Sequence, residues 1–172
     1  MGTLEYFYGL EMMAGKAMQS RTLRTALGCF TTGVTVVTTC DQAGNIAGMT
    51  VNSFASVSLE PPLVLWSVDK SANSFKAFSE ANYFAIHVLH AGQEAVSHTF
   101  ATPRADKFSC VPHEQGLGGI PRLTDYSACF ECKTRHRYDG GDHTILVGEI
   151  IHFHSRDKEP LVFYKGAYKK LA

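Results

Sequence analysis

The stretch GMTVNSFASVSLEPPLVLWSV, residues 48–68, sets two kinds of signal side by side. It opens with small, hydroxyl and amide residues (Gly48, Thr50, Asn52, Ser53, Ser56, Ser58) alternating with Val51, Phe54 and Val57. That pattern predicts a strand whose apolar face packs inward and whose polar face meets either a ligand or water. In the ligand reading, Gly48 lets backbone approach closely, while Thr50, Asn52 and Ser53 supply donors and acceptors. Pro61 and Pro62 then punctuate the chain, and Leu63, Val64, Leu65 and Trp66 read as a second, buried strand.

Working outward, the β-branched run Val34–Thr39 predicts a strand, and DQAGN at 41–45 predicts the turn that joins it to the Gly48 strand as a hairpin. Upstream, Ser20 caps an expected helix with Leu23, Ala26, Leu27 and Phe30 on one face. Residues 1–19 have no clean period and read as a loose extension, leaving 20–172 as one domain. Downstream of Val68, Ser71 is an expected N-cap, with Phe75 and Phe78 on the buried side of its helix. Such a helix start is either an ordinary cap or a phosphate site, for which Lys70, Ser71 and Asn73 are the candidate ligands.

NYFAIHVL at 82–89 predicts another buried strand, with His87 read as a core residue. Val96, Thr99 and Phe100 fall at helical spacing and lead into a basic loop carrying Arg104 and Lys107. Residues 110–125 are rich in Gly and Pro and read as a long loop; the GLGG there follows no strand, so it is no dinucleotide fingerprint. Ala128–His136 alternates as a half-exposed strand, and Tyr138–Asp142 reads as a turn. His143–His154, apolar on both sides, predicts a central or interface strand. Leu161–Tyr164 is a short strand before a basic tail. Strands do not alternate with helices in βαβ fashion, so an antiparallel sheet is expected rather than a doubly wound one.

Composition narrows the function classes. The 172 residues carry a formal net charge of +0, which argues against a nucleic-acid footprint or a polybasic membrane surface. No long apolar span or secretory h-region is present, so a soluble cytoplasmic protein is expected. Five cysteines form no disulfide framework, and in a strand Cys129 and Cys132 point to opposite faces. His152 and His154 share a face but have no further ligand at metal spacing. Nucleophile elbow, zincin motif and P-loop are all absent, which suits an enzyme whose cofactor does the chemistry.

The 48–68 stretch resembles the signature segment of the short-chain flavin reductases, the NAD(P)H:flavin oxidoreductase components of two-component monooxygenases. FAIHVL at 84–89, the 93–107 region, GDHTILVGEI at 141–150 and PLVFYKGAY at 160–168 extend that resemblance, in the family's order, from about Leu23 to Tyr168. It implies a mainly β fold, the FMN-binding split β-barrel, a Greek-key antiparallel barrel with short flanking helices. It further implies a homodimer that reduces FMN or FAD with NADH or NADPH and releases reduced flavin to a separate monooxygenase of aromatic compounds. The implied flavin contacts are Gly48, Met49, Thr50, Val51, Asn52, Ser53, Ser67, Val68, Lys70, Ser71, Asn73, Phe100, Arg104 and Lys107. His143 matches a nicotinamide contact and Tyr164 approximates another position near it, with no residue acting as an acid or base. This chain departs from the pattern at Ser109 and Cys110, where the family commonly has Gly, and in its amino-terminal extension. Reduction of a corrinoid or ferric chelate, or flavin or haem binding without turnover, are the rival readings.

Overall fold

The computed structural model describes residues 20–103 and 106–171. The expected extension at 1–19 and the Arg104 side chain lie outside those residues. Residues 20–27 form helix α1. Ser20 is already helical there, and the apolar face faces solvent: Leu23, Leu27 and Phe30 are 60%, 66% and 79% exposed.

Strands β1 (Thr32–Gly33) and β2 (Thr35–Cys40) follow, then β3 (Ile46–Val51), β4 (Ala55–Leu59) and β5 (Pro62–Asp69). The DQAGN turn forms as expected: Asp41 Oδ1 accepts from the N–H groups of Ala43 and Asn45, and Gly44 takes φ +86°. Thr35 to Thr39 are all buried because β2 is an interior strand of the main sheet with packed clusters on both faces. Val37 packs with Trp66, Phe84 and Leu146 on one side, and Val36 with Leu89, Phe100 and Leu161 on the other. The buried hydroxyls are satisfied, Thr38 donating to Pro121 O and Thr39 to Tyr83 O.

After β5 come α2 (Phe75–Glu80), β6 (Tyr83–Val88), α3 (Glu94–Ala101), β7 (His113–Gln115) and β8 (Pro121–Leu123). Two long strands, β9 (Ala128–Gly140) and β10 (His143–Ser155), precede the short β11 (Val162–Tyr164) and β12 (Ala167–Lys169). The main sheet is antiparallel throughout, ordered β3-β2-β6-β9-β10-β5-β4. Its edges are β3 and β4, so the ladder does not close. Laid flat, its six inter-strand spacings would separate those edges by roughly 29 Å. Yet only Asn52, Ser53 and Phe54 join β3 to β4, a connection that reaches about 14 Å at most. The sheet therefore rolls, bringing its two edges together on either side of the Asn52–Phe54 connection.

Several local expectations change. The 110–125 segment is a small hairpin, β7–β8, with a 3-10 turn at Leu117–Gly119. It is pinned because Glu131 on β9 accepts from Leu117 N–H at 3.0 Å and pairs with Arg122 at 3.2 Å. Consequently the first five residues of β9 are covered on both faces, with Cys129 and Glu131 under the hairpin and Cys132 in the Trp66 core, while Lys133 and residues 135–140 are exposed, so the strand as a whole is half exposed as read. The two sulfurs are free and face opposite sides. The turn expected at 138–142 is tighter, with Gly141 and Asp142 alone between β9 and β10. The basic tail includes β12, which folds back on β11 through Lys165 (φ +47°) and Gly166 (φ +79°), both in the left-handed region that two-residue hairpin turns require.

Candidate active site

The principal cleft, about 650 Å³ and open to solvent, runs along the outer edge of β3 between the 71–77 segment and the end of α3 with the loop after it. This volume falls within the range of small-molecule sites. Because β3 pairs only with β2, alternate backbone groups must point away from the sheet. Gly48 C=O is one of them, since it accepts from Lys107 Nζ at 3.1 Å. By the same alternation the N–H groups of Gly48 and Thr50 face outward, and no backbone partner for them is present among the described residues. One wall of the cleft is thus an unpaired strand edge, a row of donors and acceptors that costs free energy if covered by anything unable to hydrogen-bond.

Lys107 stands over that edge. Its ammonium donates to Gly48 O and to Phe100 O at 3.0 Å, and burial pushes its pKa below the ordinary lysine value. An ammonium carries three N–H bonds, so one remains for an anion in the cleft. Phe100 and Phe108 meet edge-to-face with centroids 5.1 Å apart. A Cβ on Gly48 would sit 2.6 Å from the Phe100 ring, so the aromatic pair itself requires a glycine at this point of the cleft wall.

Of the sequence-derived contacts, the cleft brings together Gly48, Met49, Thr50, Ser71, Asn73, Phe100 and Lys107. Val51 and Asn52 line a smaller groove that shares Thr50 and Ala101 with the cleft. Ser53 instead stitches the rolled sheet: its Oγ accepts from Ser67 N at 3.0 Å and donates to Ser67 O at 3.3 Å. Val68 is fully buried in the core. Neither Ser67 nor Val68 lines the cleft.

The expected helix-start phosphate site is not formed as read. α2 begins at Phe75, four residues beyond Ser71, because Asp69 captures both donors of Ser71, its N–H and its Oγ, each at 2.7 Å. Those bonds, with His143 nearby, hold the Asp69 carboxyl below its usual pKa. Lys70 turns away from the cleft to Asp139 and to Gly141 O, the latter at 2.6 Å. His143 sits opposite Asp69 across the β5–β10 ladder, its Nδ1 2.6 Å from Asp142 Oδ1, outside the cleft lining. Tyr164 also lies outside it, with Lys165 over its ring; the tyrosine that reaches the groove is Tyr168. Sequence reading missed Tyr168 because a three-residue strand has too few positions to show a period. It missed Ser97 because a buried serine on a helix carries no sequence mark.

Residues 27–172 match the model of the flavin reductase like domain. The chain belongs to the flavin reductase like domain family. It is 51% identical over 153 residues to the FMN reductase (NADH) of Agrobacterium fabrum, covering 89% of this chain and 87% of that one. It is 44% identical over 148 residues to the reductase component of the flavin-dependent trigonelline monooxygenase of Acinetobacter baylyi, covering 86% of this chain but 48% of that protein. The NADH:FAD oxidoreductase of Streptomyces globisporus, solved with NAD and FAD fragments, superposes with a TM-score of 0.83 at 41% identity over 87% of this chain and 91% of that one. The reductase described here is accordingly an oxidoreductase of FMN or FAD with a pyridine nucleotide as hydride donor. Its cleft fits that class: an unpaired strand edge suits a heterocycle or polyol, and a half-buried ammonium beside it suits a phosphate.

Proposed function

We propose that this reductase supplies reduced flavin by diffusion to a separate flavin-dependent monooxygenase acting on an aromatic compound. The observation that carries the reading is the unpaired edge of β3 with Lys107 above it, in a cleft open enough for flavin to enter and leave. When bound, the flavin accepts hydride from the nicotinamide. The chain's own part is to bind and orient. Lys107 holds the phosphate together with Asn73, and Ser71 joins them only by leaving Asp69, while Gly48 and Thr50 N–H groups present fixed donors where negative charge grows. His143, with its ring steadied by Asp142, contacts the nicotinamide, and Arg104 adds to the phosphate clamp. Lys70 joins that clamp only by leaving Asp139. His143→Ala lowers the rate mildly in this reading; complete loss would mean that the residue has another role.

The rolled sheet is in this reading a split β-barrel, and the enzyme a homodimer in the cytoplasm. Phe30, Leu59 and Phe153 are 79%, 94% and 74% exposed, large apolar side chains of the kind that a second copy would cover. The free thiols suit a reducing compartment. Steady-state oxidation of NADH and NADPH in the presence of FMN, FAD or riboflavin tests the activity directly. Rapid oxidation with at least one flavin is expected, and none with any of the three would overturn it.

A further inference from the structure

Lys70 directly follows β5 and directly precedes Ser71, where the 71–77 wall of the cleft begins. Its donors converge on one place, the turn between β9 and β10. The backbone N–H donates to Asp142 O at 3.0 Å, while the ammonium donates to Gly141 O at 2.6 Å and pairs with Asp139. Lys70 lies one residue past Asp69, which is paired across the ladder with His143, the first residue of β10. The side chain therefore reaches around the end of β10 to β9, and a single residue clasps the whole turn.

An exposed ion pair is worth little alone, and the Asp139 side chain is 80% exposed. Here the pair acts together with two bonds to the backbone of the same turn. Moving the ammonium to a phosphate in the cleft would forfeit Gly141 O and strip Asp139 of the cation that holds its carboxyl below the usual range. What the clasp fixes is His143, which starts its strand immediately after the turn. The His143 Nδ1 is 2.6 Å from Asp142 Oδ1, so Nε2 is the atom left for a ligand. Lys70 grips the carbonyl of that same Asp142, so the backbone of His143 and the partner of its ring are set together.

We propose that Lys70 is a positioning residue for His143 and not a ligand of the flavin phosphate, clasping the β9–β10 turn to the segment that walls the flavin cleft. The nicotinamide contact is thereby held at a fixed place relative to the flavin. The inference rests on the reading that His143 contacts the nicotinamide, and it takes Lys70 out of the phosphate clamp.

The test sets steady-state kinetics for NADH beside fluorescence titrations with FMN and with lumiflavin, which keeps the ring but lacks the ribityl phosphate. Lys70→Met lowers kcat/KM for NADH severalfold and binds both flavins as the wild type does. Asp139→Asn, which leaves Lys70 itself in place, gives the same pattern, and Lys70→Arg restores the wild-type kinetics because a guanidinium serves both acceptors. Residues that act through one another are not additive, so Lys70→Met has no further effect in His143→Ala. Weaker FMN binding by Lys70→Met with lumiflavin unchanged makes Lys70 a phosphate ligand and overturns the inference. Wild-type kinetics in both Lys70→Met and Asp139→Asn overturn it as well, as does a Lys70→Met effect undiminished in His143→Ala. Those three outcomes leave the nicotinamide reading standing, whereas His143→Ala with wild-type kinetics for NADH sinks that reading and this inference together.

Discussion

Lys107 bridges two carbonyls from different elements, Gly48 O on β3 and Phe100 O on α3, so its removal has two consequences. Lys107→Met deletes a charge-assisted contact to the phosphate, worth about 1.5–3 kcal/mol, and frees the loop from the strand. KM for FMN should rise by about tenfold to a hundredfold, with a smaller change in kcat. Because burial lowers the Lys107 pKa, its charge is lost at lower pH than an ordinary lysine's. FMN affinity should therefore fall on the alkaline side before pH reaches the usual lysine value, and Lys107→Arg should remove that fall. Gly48→Ala is the companion test: its methyl would meet Phe100 at 2.6 Å, and the displaced ring should narrow the cleft. Weaker flavin binding is expected, and unchanged binding would show that Phe100 moves freely.

At the scale of elements, His87 joins three strands. Its Nδ1 bonds Val36 O on β2 at 3.1 Å, and its Nε2 accepts from Leu123 N–H on β8 at 3.0 Å, which leaves the ring neutral. Burial is the main cause of a pKa lowered to about 4. The unfolded chain takes up this proton near pH 6.5, so between those values the unfolded state binds more protons. Stability should then decrease as pH falls from 6.5 to about 4, by roughly 3 kcal/mol at most, and level off below. Thermal midpoints over that range check this: His87→Gln should flatten the slope. The same core constrains β10. A methyl at Gly148 would meet Phe84 and stand 2.9 Å from Cys132 Cβ, so Gly148→Ala should cost about 1–3 kcal/mol. Each kcal/mol lowers the midpoint by roughly 2–4 °C in a chain of this size.

At the scale of the molecule, apolar surface is left on α1, on β4 and on the far half of β10, where Ile151 and Phe153 are 42% and 74% exposed. Sedimentation of the wild-type protein should give a dimer, and Phe153→Asp paired with Leu59→Asp should shift it to monomer. If the partner helps to close the flavin cleft, the monomer should also bind FMN more weakly. A wild-type monomer at micromolar concentration would remove this part of the reading. The rolled sheet bears on the same question. Ser53 stitches the connection between the sheet's two edges to β5, so Ser53→Ala should loosen the roll and lower stability with little direct effect on hydride transfer.

Local pattern was enough to read the antiparallel strands, the DQAGN hairpin turn, the core role of His87 and the opposed faces of Cys129 and Cys132, because each depends on residues adjacent in the chain. The 48–68 stretch likewise predicted a strand with its polar face toward a ligand or water, and its first residues line the cleft; that the strand is an edge came only from the structure. Only tertiary structure decided which polar groups remained available there. Ser71 and Lys70 carry the right atoms, but Asp69 and Asp139, one of them from a distant hairpin, take them first. Gly48 admits an aromatic ring from α3, and Tyr168, not Tyr164, reaches the groove through a serine that is silent in the sequence. A side chain's chemistry is fixed by its type, whereas its partner is fixed by what the fold brings within hydrogen-bonding distance.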